Sequence, residues 1–278
     1  MSRRDGPPVD LFIKILETSR VHHAQAYVEA ECSSSRLIHG LVPDFVPEPV
    51  AWGSLVSSNA HFFITRFVDM KPLTRQTCTP TVLREIVRKT IELHQRGKAA
   101  GAKFGTKLLW FDGTQPCETP EADDWLDSFS HLFKHKLDVE RTCNEPWAPY
   151  DLAAQRILSH VVPRLLAPSH LTSPDGGRLE PTYIHGDMHD FNLGLRRDGT
   201  NQPILIDVNG YYAHNEMELA CWWSHFTDVM RGGVALYAEL GGEIAQPEAE
   251  FEDRVRLYSL TKMLNYMAGQ PGSSMRQS

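Results

Sequence analysis

The chain has 278 residues, of which 41% are hydrophobic and 23% are charged, a composition that can fill a sizeable core and excludes a low-complexity chain. Lysine and arginine total 28 against 35 aspartates and glutamates, and the net charge of −7 argues against broad electrostatic binding to nucleic acid or to an anionic membrane surface. No apolar run reaches the ~18 residues of a membrane span, and the basic start of the chain lacks the apolar stretch of a signal peptide.

Residues 10–70 are predicted to form a small, strand-rich N-terminal lobe, preceded by a polar segment, residues 1–9, that we expect to be disordered. Alternating apolar residues predict a strand over Leu11–Leu16, in which Lys14 stands between apolar neighbours. Taken alone, such a lysine is typical of an edge strand protected against aggregation. The other elements predicted here are a helix over His23–Ile38 and strands over Val50–Val56 and His61–Val68.

Residues 71–278 are predicted to form a larger, mainly helical lobe, with the hinge near Val68–Leu73. The first predicted helix has Thr79 as its N-cap and Pro80 at its start, and the second opens at Thr119-Pro120. The third covers Tyr150–Leu166, with a kink at Pro163 and with Ile157, Leu158, Val161 and Leu165 facing inward. The fourth lies near Glu216, with Asn215 and Glu218 spaced as a cap and its partner. A turn at Asp198-Gly199 is predicted to join two short strands. The predicted fold class is therefore α+β, with two lobes.

Functional residue types are densest in the segment from His185 to Asn192. Asp187 is followed five residues later by Asn192, which places a carboxylate and an amide on one tight loop. A further carboxylate, Asp207, ends an apolar strand of the hairpin that begins at this loop. Such oxygens suit Mg²⁺, and a carboxylate not used by the metal can accept a proton from an attacking hydroxyl. The pattern indicates phosphoryl transfer.

The sequence around these residues resembles a known group of kinases. His185-Gly186-Asp187, followed by Asn192 and then by Ile206-Asp207, is similar to the catalytic loop and metal-binding aspartate of the aminoglycoside phosphotransferase-like kinases. The string from Tyr211 to Ala220 is similar to the fructosamine/ketosamine-3-kinase family, and the resemblance covers nearly the whole chain from about Phe12. It implies a protein-kinase-like fold with a truncated N-terminal sheet and a mainly helical C-terminal lobe.

The resemblance implies an ATP site whose residues come from the N-terminal lobe. Lys14 would bind the ATP phosphates, and Glu31, seventeen residues later, would pair with it. Glu29 is the competing partner, and a solvated helix face is the alternative for Glu31. The backbone contacts implied for adenine are Arg66, Phe67 and Val68.

The resemblance also implies the residues that bind the metal and the acceptor. Asp187 would be the catalytic base, and Asn192 and Asp207 would hold Mg²⁺. His185 is expected to brace the loop, and His214 is expected either to brace the segment after Asp207 or to be buried. The acceptor contacts are predicted at His189, Tyr212 and His214.

Two departures from the family pattern affect these expectations. The family has a glycine-containing hairpin before the lysine strand, whereas only 13 residues precede Lys14 here and they contain one glycine, Gly6. We therefore expect the hairpin that covers the phosphates to be absent, and the exposed edge of the lysine strand to promote self-association. The family tryptophan two residues after the catalytic aspartate is His189 here, which leaves the identity of the acceptor open.

The function implied by the resemblance is ATP-dependent phosphorylation of the sugar 3-hydroxyl of ketosamines, either on glycated protein lysines or as small molecules, leading to deglycation. The alternatives are an aminoglycoside- or choline-type phosphotransferase and a weakened pseudokinase that binds a partner. A dinuclear hydrolase is disfavoured because its further ligand motifs are missing. Five scattered cysteines, none in a CxxC pair, indicate a reduced, cytoplasmic protein.

Overall fold

The computed structural model describes residues 9–56, 58–113, 115–223 and 228–277, so the predicted disorder of residues 1–9 lies, apart from Val9, outside the described residues. The strands are β1 (Leu11–Glu17), β2 (Pro49–Ser54), β3 (Ala60–Arg66), β4 (Met70–Pro72), β5 (Trp110–Asp112), β6 (Gln115–Cys117), β7 (Thr182–Ile184), β8 (Leu193–Arg196), β9 (Pro203–Leu205) and β10 (Tyr211–Ala213). The α-helices are α1 (Ala24–Leu41), α2 (Pro80–Gly97), α3 (Trp125–Cys143), α4 (Ala148–Arg156), α5 (Val162–Leu166), α6 (Ala220–Trp223), α7 (Gly233–Glu239) and α8 (Phe251–Gly269). Short 3-10 helices occupy Pro43–Phe45, Asp190–Asn192, Asn215–Leu219, Glu248–Glu250 and Ser274–Gln277.

A three-stranded antiparallel sheet of order β1-β3-β2 forms the N-terminal layer, and α1 packs on one of its faces. The strand predicted over Leu11–Leu16 is confirmed and ends one residue later. Lys14 lies opposite Phe63 of β3, which packs against α1. Because side chains alternate along a strand, Lys14 faces the helix, whereas Ile13 and Ile15 face away and are 51% and 55% exposed.

The segment predicted as the hinge leads into β4, which belongs to a second sheet of order β4-β8-β9. Met70 of β4 lies opposite Arg196 of β8, and β8 pairs with β9 as the hairpin predicted around Asp198-Gly199. The predicted hairpin is confirmed. Its strands are tied through β4 to the end of the N-terminal sheet, while the division of the chain into lobes at residue 70 stays a prediction.

The rest of the chain is built around two buried apolar clusters, one involving α2, α7 and the hairpin and the other involving α3 and α8. In the second cluster, Nε1 of Trp125 donates a hydrogen bond to the hydroxyl of Tyr258 at 2.9 Å, which joins α3 to α8. Within the described residues, no helix has both the length and the apolar character to cross a membrane.

The helix predicted to open at Thr119-Pro120 begins instead at Trp125. Its cap is Asp124, whose carboxylate accepts a hydrogen bond from the backbone N–H of Asp127 at 2.9 Å. The hydroxyl of Thr119 is used elsewhere, because it accepts a hydrogen bond from Nε1 of Trp110 at 2.9 Å. A tertiary contact has therefore displaced the local capping signal.

The helix predicted over Tyr150–Leu166 is interrupted by a π-helical turn over Ile157–Val161, just before Pro163. Proline lacks the N–H that would continue the ladder, and its ring crowds the preceding turn. The extra residue in the turn changes which side chains face the core. Val162 is buried and Val161 is 37% exposed, so the prediction that Val161 faces inward is wrong.

The cap predicted at Asn215 and Glu218 is also wrong, since these residues lie within a 3-10 helix and neither side chain caps it. The amide of Asn215 donates to the hydroxyl of Tyr237 at 3.0 Å. The carboxylate of Glu218 accepts hydrogen bonds from the loop after β7. Both side chains serve tertiary contacts that the local spacing does not reveal.

Candidate active site

The loop that follows β7 is fixed through its backbone. Gly186 has a φ of 82°, and a Cβ atom there would lie 2.5 Å from the carbonyl oxygen of Asn209, so only glycine fits. The buried carboxylate of Glu218 accepts hydrogen bonds from the N–H groups of His185 at 2.5 Å and Gly186 at 3.1 Å. These contacts hold the start of the loop in one conformation.

His185 links this loop to the segment that carries Asp207. Its Nδ1 accepts a hydrogen bond from the N–H of Asp187 at 3.2 Å, so the ring proton resides on Nε2, which donates to the carbonyl of Ile206 at 3.0 Å. Burial lowers the pKa of His185 and favours the neutral ring. The prediction that His185 braces the loop is confirmed.

The two carboxylate oxygens of Asp187 meet different partners. Oδ1 accepts a hydrogen bond from Nζ of Lys262 at 3.0 Å, whereas Oδ2 accepts one from Nδ2 of Asn192 at 3.1 Å and lies 3.3 Å from Nε2 of His189. Burial acts to raise the pKa of Asp187, but Lys262 and His189 outweigh it and hold the pKa well below its usual range. The carboxylate is therefore ionised at neutral pH.

Lys262 of α8 belongs to a buried charge network that sequence reasoning missed. Its Nζ also donates to the carbonyl of Gly186 at 2.6 Å and lies 3.6 Å from the carboxylate of Asp112. Asp112 is itself paired with buried Lys136 and accepts a hydrogen bond from Asn265 at 2.7 Å. The carboxylate of Asp187 and the loop backbone are thus held by a cation that is only 9% exposed.

A signal for this network was present in the sequence. Arg254, Tyr258 and Lys262 follow at intervals of four residues, which places them on one face of α8, and all three are buried. Buried cations require paired carboxylates, and Arg254 finds Glu216 at 2.7 Å. Basic residues at helical spacing on an apolar face therefore predict buried ion pairs, although not the identity of the carboxylates.

Asn192 and Asp207 lie close in the backbone at the base of the β8–β9 hairpin. The N–H of Ile206 donates to the carbonyl of Asn192 at 3.0 Å, which places the following residue, Asp207, beside Asn192. Asp207 has a φ of 55°, a conformation that non-glycine residues adopt rarely and often at functional sites, and its side chain is 42% exposed.

The donor set of these two residues fits a magnesium ion. Asp207 offers a carboxylate, and Asn192 offers Oδ1, since its Nδ2 donates to Asp187. Both are hard oxygen ligands. In the described ranges, no cluster of three or more His, Cys, Asp or Glu side chains is placed to hold a metal alone. The remaining ligands would therefore have to be water or phosphate oxygens.

Lys14 connects the N-terminal sheet to this site. Its Nζ donates to the two oxygens of Glu31 at 2.8 and 3.0 Å and to Oδ1 of Asp207 at 2.6 Å. The alternative prediction, that Lys14 pairs with Glu29, is therefore wrong. Burial acts to lower the pKa of Lys14, but the two carboxylates raise it. Burial, opposed by Lys14 and assisted by Asp207, raises the pKa of Glu31 to about 7.

A cavity of about 410 Å³ opens between the N-terminal sheet and the end of β9. The residues predicted to contact the nucleotide all line it, namely Lys14, Glu31, Arg66, Phe67 and Val68, together with Asp207. Apolar side chains such as Phe12, Phe63 and Met70 complete the wall, as in small-molecule sites generally. A larger cavity of about 780 Å³, lined by Lys98, Phe104 and Arg178 among others, contains none of the predicted site residues.

Of the three predicted acceptor residues, His189 lies beside Asp187. His214 is 1% exposed and its Nδ1 is hydrogen-bonded to the hydroxyl of Tyr258 at 2.9 Å, so the prediction that it contacts the acceptor is wrong and the buried alternative is correct. Burial also lowers the pKa of His214 well below its usual value. The ring of Tyr212 packs edge-on against Tyr183 at 5.1 Å, and its role at the acceptor stays a prediction.

Known proteins resemble this chain over most of its length. A family model described as fructosamine kinase matches residues 8–277. The protein-ribulosamine 3-kinase, chloroplastic, of Oryza sativa subsp. indica is 26% identical over 223 residues, which is 80% of this chain and 57% of that protein. The protein of the same name from Arabidopsis thaliana is 24% identical over 222 residues, 80% of this chain and 60% of that protein. The chain thus spans less than two thirds of the length of these curated relatives.

Solved structures share the fold. A proposed fructosamine-3-kinase from Thermobifida fusca YX-ER1 superimposes with a TM-score of 0.72 at 18% identity, over 97% of this chain and 82% of that one. A second proposed fructosamine-3-kinase, from Haemophilus somnus 129PT, superimposes with a TM-score of 0.65 at 16% identity, over 96% of this chain and 77% of that one. An aminoglycoside phosphotransferase superimposes with a TM-score of 0.55 at 13% identity, over 96% of this chain and 80% of that one. The predicted kinase-like, two-lobed α+β fold is confirmed.

Proposed function

Since this chain belongs to the fructosamine kinase family, we propose that it transfers the γ-phosphoryl group of ATP to the sugar 3-hydroxyl of a ribulosamine or fructosamine carried on a protein lysine. The observation that supports the proposal is a chain of hydrogen bonds through the base of the hairpin. Lys14 donates to Asp207, the backbone of the preceding residue, Ile206, donates to Asn192, and Asn192 donates to Asp187. This line joins the 410 Å³ cavity to an ionised base.

On the nucleotide side, the adenine lies in the cavity against the backbone of residues 66–68. The ammonium of Lys14 faces the phosphates, held in place by Glu31. Asn192 and Asp207 would hold Mg²⁺, which neutralises phosphate charge when it is bound. Lys14 and Asp207 already touch, so the cation and the carboxylate that serve the phosphates are positioned relative to each other.

On the acceptor side, Asp187 accepts a hydrogen bond from the 3-hydroxyl and orients its oxygen. The bond between this oxygen and the γ-phosphorus forms as the bond to the bridging oxygen of ADP breaks, and the hydroxyl proton passes to Asp187. Because Lys262 and His189 stabilise the carboxylate form, Asp187 orients the hydroxyl before it receives the proton. The 3-phosphate product is the unstable species expected of this family, so the outcome is deglycation.

The test is ADP formation by the purified chain with Mg²⁺ and ATP, across ribulosamines, fructosamines, aminoglycosides and choline. We expect turnover that depends on a ketosamine and is absent with the other acceptors. Turnover with an aminoglycoside or choline alone would support the alternative phosphotransferase. ATP binding without turnover on any acceptor would support the pseudokinase.

A further inference from the structure

Phe191 projects from the loop that carries Asp187 and is 81% exposed. The other phenylalanines with large exposed areas among the described residues, Phe12 and Phe67, are 51% and 52% exposed, and both line the nucleotide cavity. An exposed aromatic side chain next to a candidate base offers an apolar contact to a molecule that reaches that base. The nucleotide cavity does not include Phe191.

Side chains alternate along this loop. Those that point inward are Met188, Asp190 and Asn192, at 0%, 8% and 7% exposure. Between them, the side chains of Asp187 and His189 are 13% and 30% exposed, and Phe191 follows at 81%. Exposure therefore rises in steps from Asp187 through His189 to Phe191, three side chains that are linked by contacts.

The two rings on this face have defined orientations. Nδ1 of His189 accepts a hydrogen bond from the N–H of Phe191 at 3.2 Å, so the neutral ring carries its proton on Nε2, 3.3 Å from Oδ2 of Asp187. The rings of His189 and Phe191 meet edge to face, with centroids 5.8 Å apart and an interplanar angle of 72°. Beneath them, Nε1 of Trp222 donates to the carbonyl of Met188 at 3.0 Å and holds the loop.

We propose that His189 and Phe191 form the acceptor subsite, in which the sugar lies over His189 and the aliphatic stem of the glycated lysine, with its peptide, lies against Phe191. This inference rests on the proposed function. A sugar that presents a hydroxyl to Asp187 lies against the ring of His189, which is 30% exposed. The group to which the sugar is attached then reaches the apolar ring of Phe191, which suits methylene groups and not charge. The subsite therefore favours ketosamines on peptides over ketosamines on small amines.

The test compares two acceptors that carry the same sugar, a ketosamine formed on a lysine within a peptide and one formed on glycine. Their affinities are measured by calorimetry with Mg²⁺ and a non-hydrolysable ATP analogue present. In Phe191→Ala we expect affinity for the peptide ketosamine to fall about five- to tenfold, and affinity for the glycine ketosamine to change less than about twofold. Phe191→Leu retains part of the preference, because it keeps an apolar surface.

Two control variants separate this subsite from the rest of the protein. Phe67→Ala removes a phenylalanine of the nucleotide cavity, so it should weaken binding of the ATP analogue and leave the ratio of the two ketosamine affinities unchanged. Leu152→Ala, on α4 and 48% exposed, should change none of these affinities.

The outcomes are distinguishable from failure of the proposed function. Equal losses for both ketosamines in Phe191→Ala, no loss for either, or no binding of either by the wild type would each overturn the inference. If both bind with the expected preference but neither receives phosphate from ATP, the subsite is supported and the proposed transfer is not.

Discussion

The carboxylate of Asp187 owes its ionised state to its neighbours. Its side chain is 13% exposed, and burial by itself would favour the protonated form. Lys262 on Oδ1 and the polar hydrogens of Asn192 and His189 near Oδ2 reverse that preference. The cation that pairs with Asp187 comes from α8, 75 residues further along the chain. We therefore expect Lys262 to position this carboxylate, so that its loss lowers both stability and turnover.

Replacement of Lys262 by methionine should lower the free energy of unfolding by about 3–5 kcal/mol, since the carboxylates of Asp187 and Asp112 would stay buried without this cation. Urea denaturation measures the change. The matched control is Lys134→Met, which breaks an exposed pair with Asp138 on α3 and should cost less than about 1 kcal/mol. Similar losses in the two variants would mean that the buried network contributes no more than a surface ion pair.

Asp207 gives the second residue-level prediction. Asp207→Ala should abolish the tightening of ATP binding by Mg²⁺, because it removes the carboxylate offered to the metal. Calorimetry with and without Mg²⁺ measures this tightening. Asp198→Ala, in the turn at the far end of the same hairpin, should bind like the wild type. If Asp207→Ala keeps the full metal effect, the ligand assignment is incorrect.

Glu31 gives a prediction about pH. Its pKa is about 7 in the folded protein, against an ordinary value of 4.5, so between these pH values the folded state binds more protons than the unfolded state. The contribution of Glu31 to stability is therefore present at low pH and is lost as the pH rises towards about 8. The glutamine side chain of Glu31→Gln does not titrate. The free energy of unfolding of this variant, relative to that of the wild type, should therefore rise by on the order of 2 kcal/mol between about pH 5 and about pH 8.

Chemical denaturation at several pH values checks this sign. Glu29→Gln leaves the Lys14–Glu31 pair in place and should retain the wild-type pH dependence. A Glu31→Gln variant whose stability runs parallel to that of the wild type across this range would show that the pKa of Glu31 is not raised.

Elements whose ends are set locally were predicted well from the sequence. The helix α2 begins at Pro80, where the hydroxyl of Thr79 accepts a hydrogen bond from the N–H of Val82 at 3.3 Å, as its sequence predicts. The start of α3 was predicted too early, because the hydroxyl of Thr119 binds Trp110. Local spacing identifies a side chain able to cap a helix, but a tertiary partner decides whether it does so.

The residues of the candidate site also differ in how well the sequence predicts them. Lys14, Glu31 and the loop of Asp187 were predicted because the sequence resembles that of a known family. Lys262 was missed because its partners, Asp187 and Asp112, are remote in sequence, and nothing local indicates which carboxylates a buried lysine meets. The burial of His214 could not be predicted either, because it depends on packing against Tyr258 of α8.

The outer face of β1 gives a prediction at the level of one element. Leu11, Ile13 and Ile15 are about half exposed, and within the described residues β1 pairs with β3 alone. The strand β1 thus lies at the edge of its sheet and carries apolar side chains on its outer face. Such an edge strand favours association with a second copy of the chain. Ile13→Lys should therefore reduce concentration-dependent association, as measured by analytical ultracentrifugation.

The control for this edge is Val161→Lys, an exposed position in the π turn, which should associate like the wild type. A wild type that stays monomeric at high concentration would contradict the prediction, as would an Ile13→Lys variant that associates to the same extent.

At the scale of the whole molecule, the site exists only because distant parts of the chain meet. Lys14 comes from the N-terminal sheet and Asp207 from the hairpin, 193 residues later, yet their charged atoms lie 2.6 Å apart. The pairing of β4 with β8 ties the end of that sheet to the same hairpin. Motion between these parts would separate the group proposed to face the phosphates from the residues that would hold the metal.

The central claim is that Asp187 promotes phosphate transfer from ATP to a ketosamine. The most direct measurement is mass spectrometry of a ribulosamine-bearing peptide after incubation with ATP, Mg²⁺ and either the wild type or Asp187→Asn. We expect the wild type to add one phosphate to the sugar, and Asp187→Asn to do so ~10²–10⁴-fold more slowly while still binding ATP. No phosphate on the peptide with the wild type, or a variant that keeps more than about a tenth of the rate, would contradict the claim.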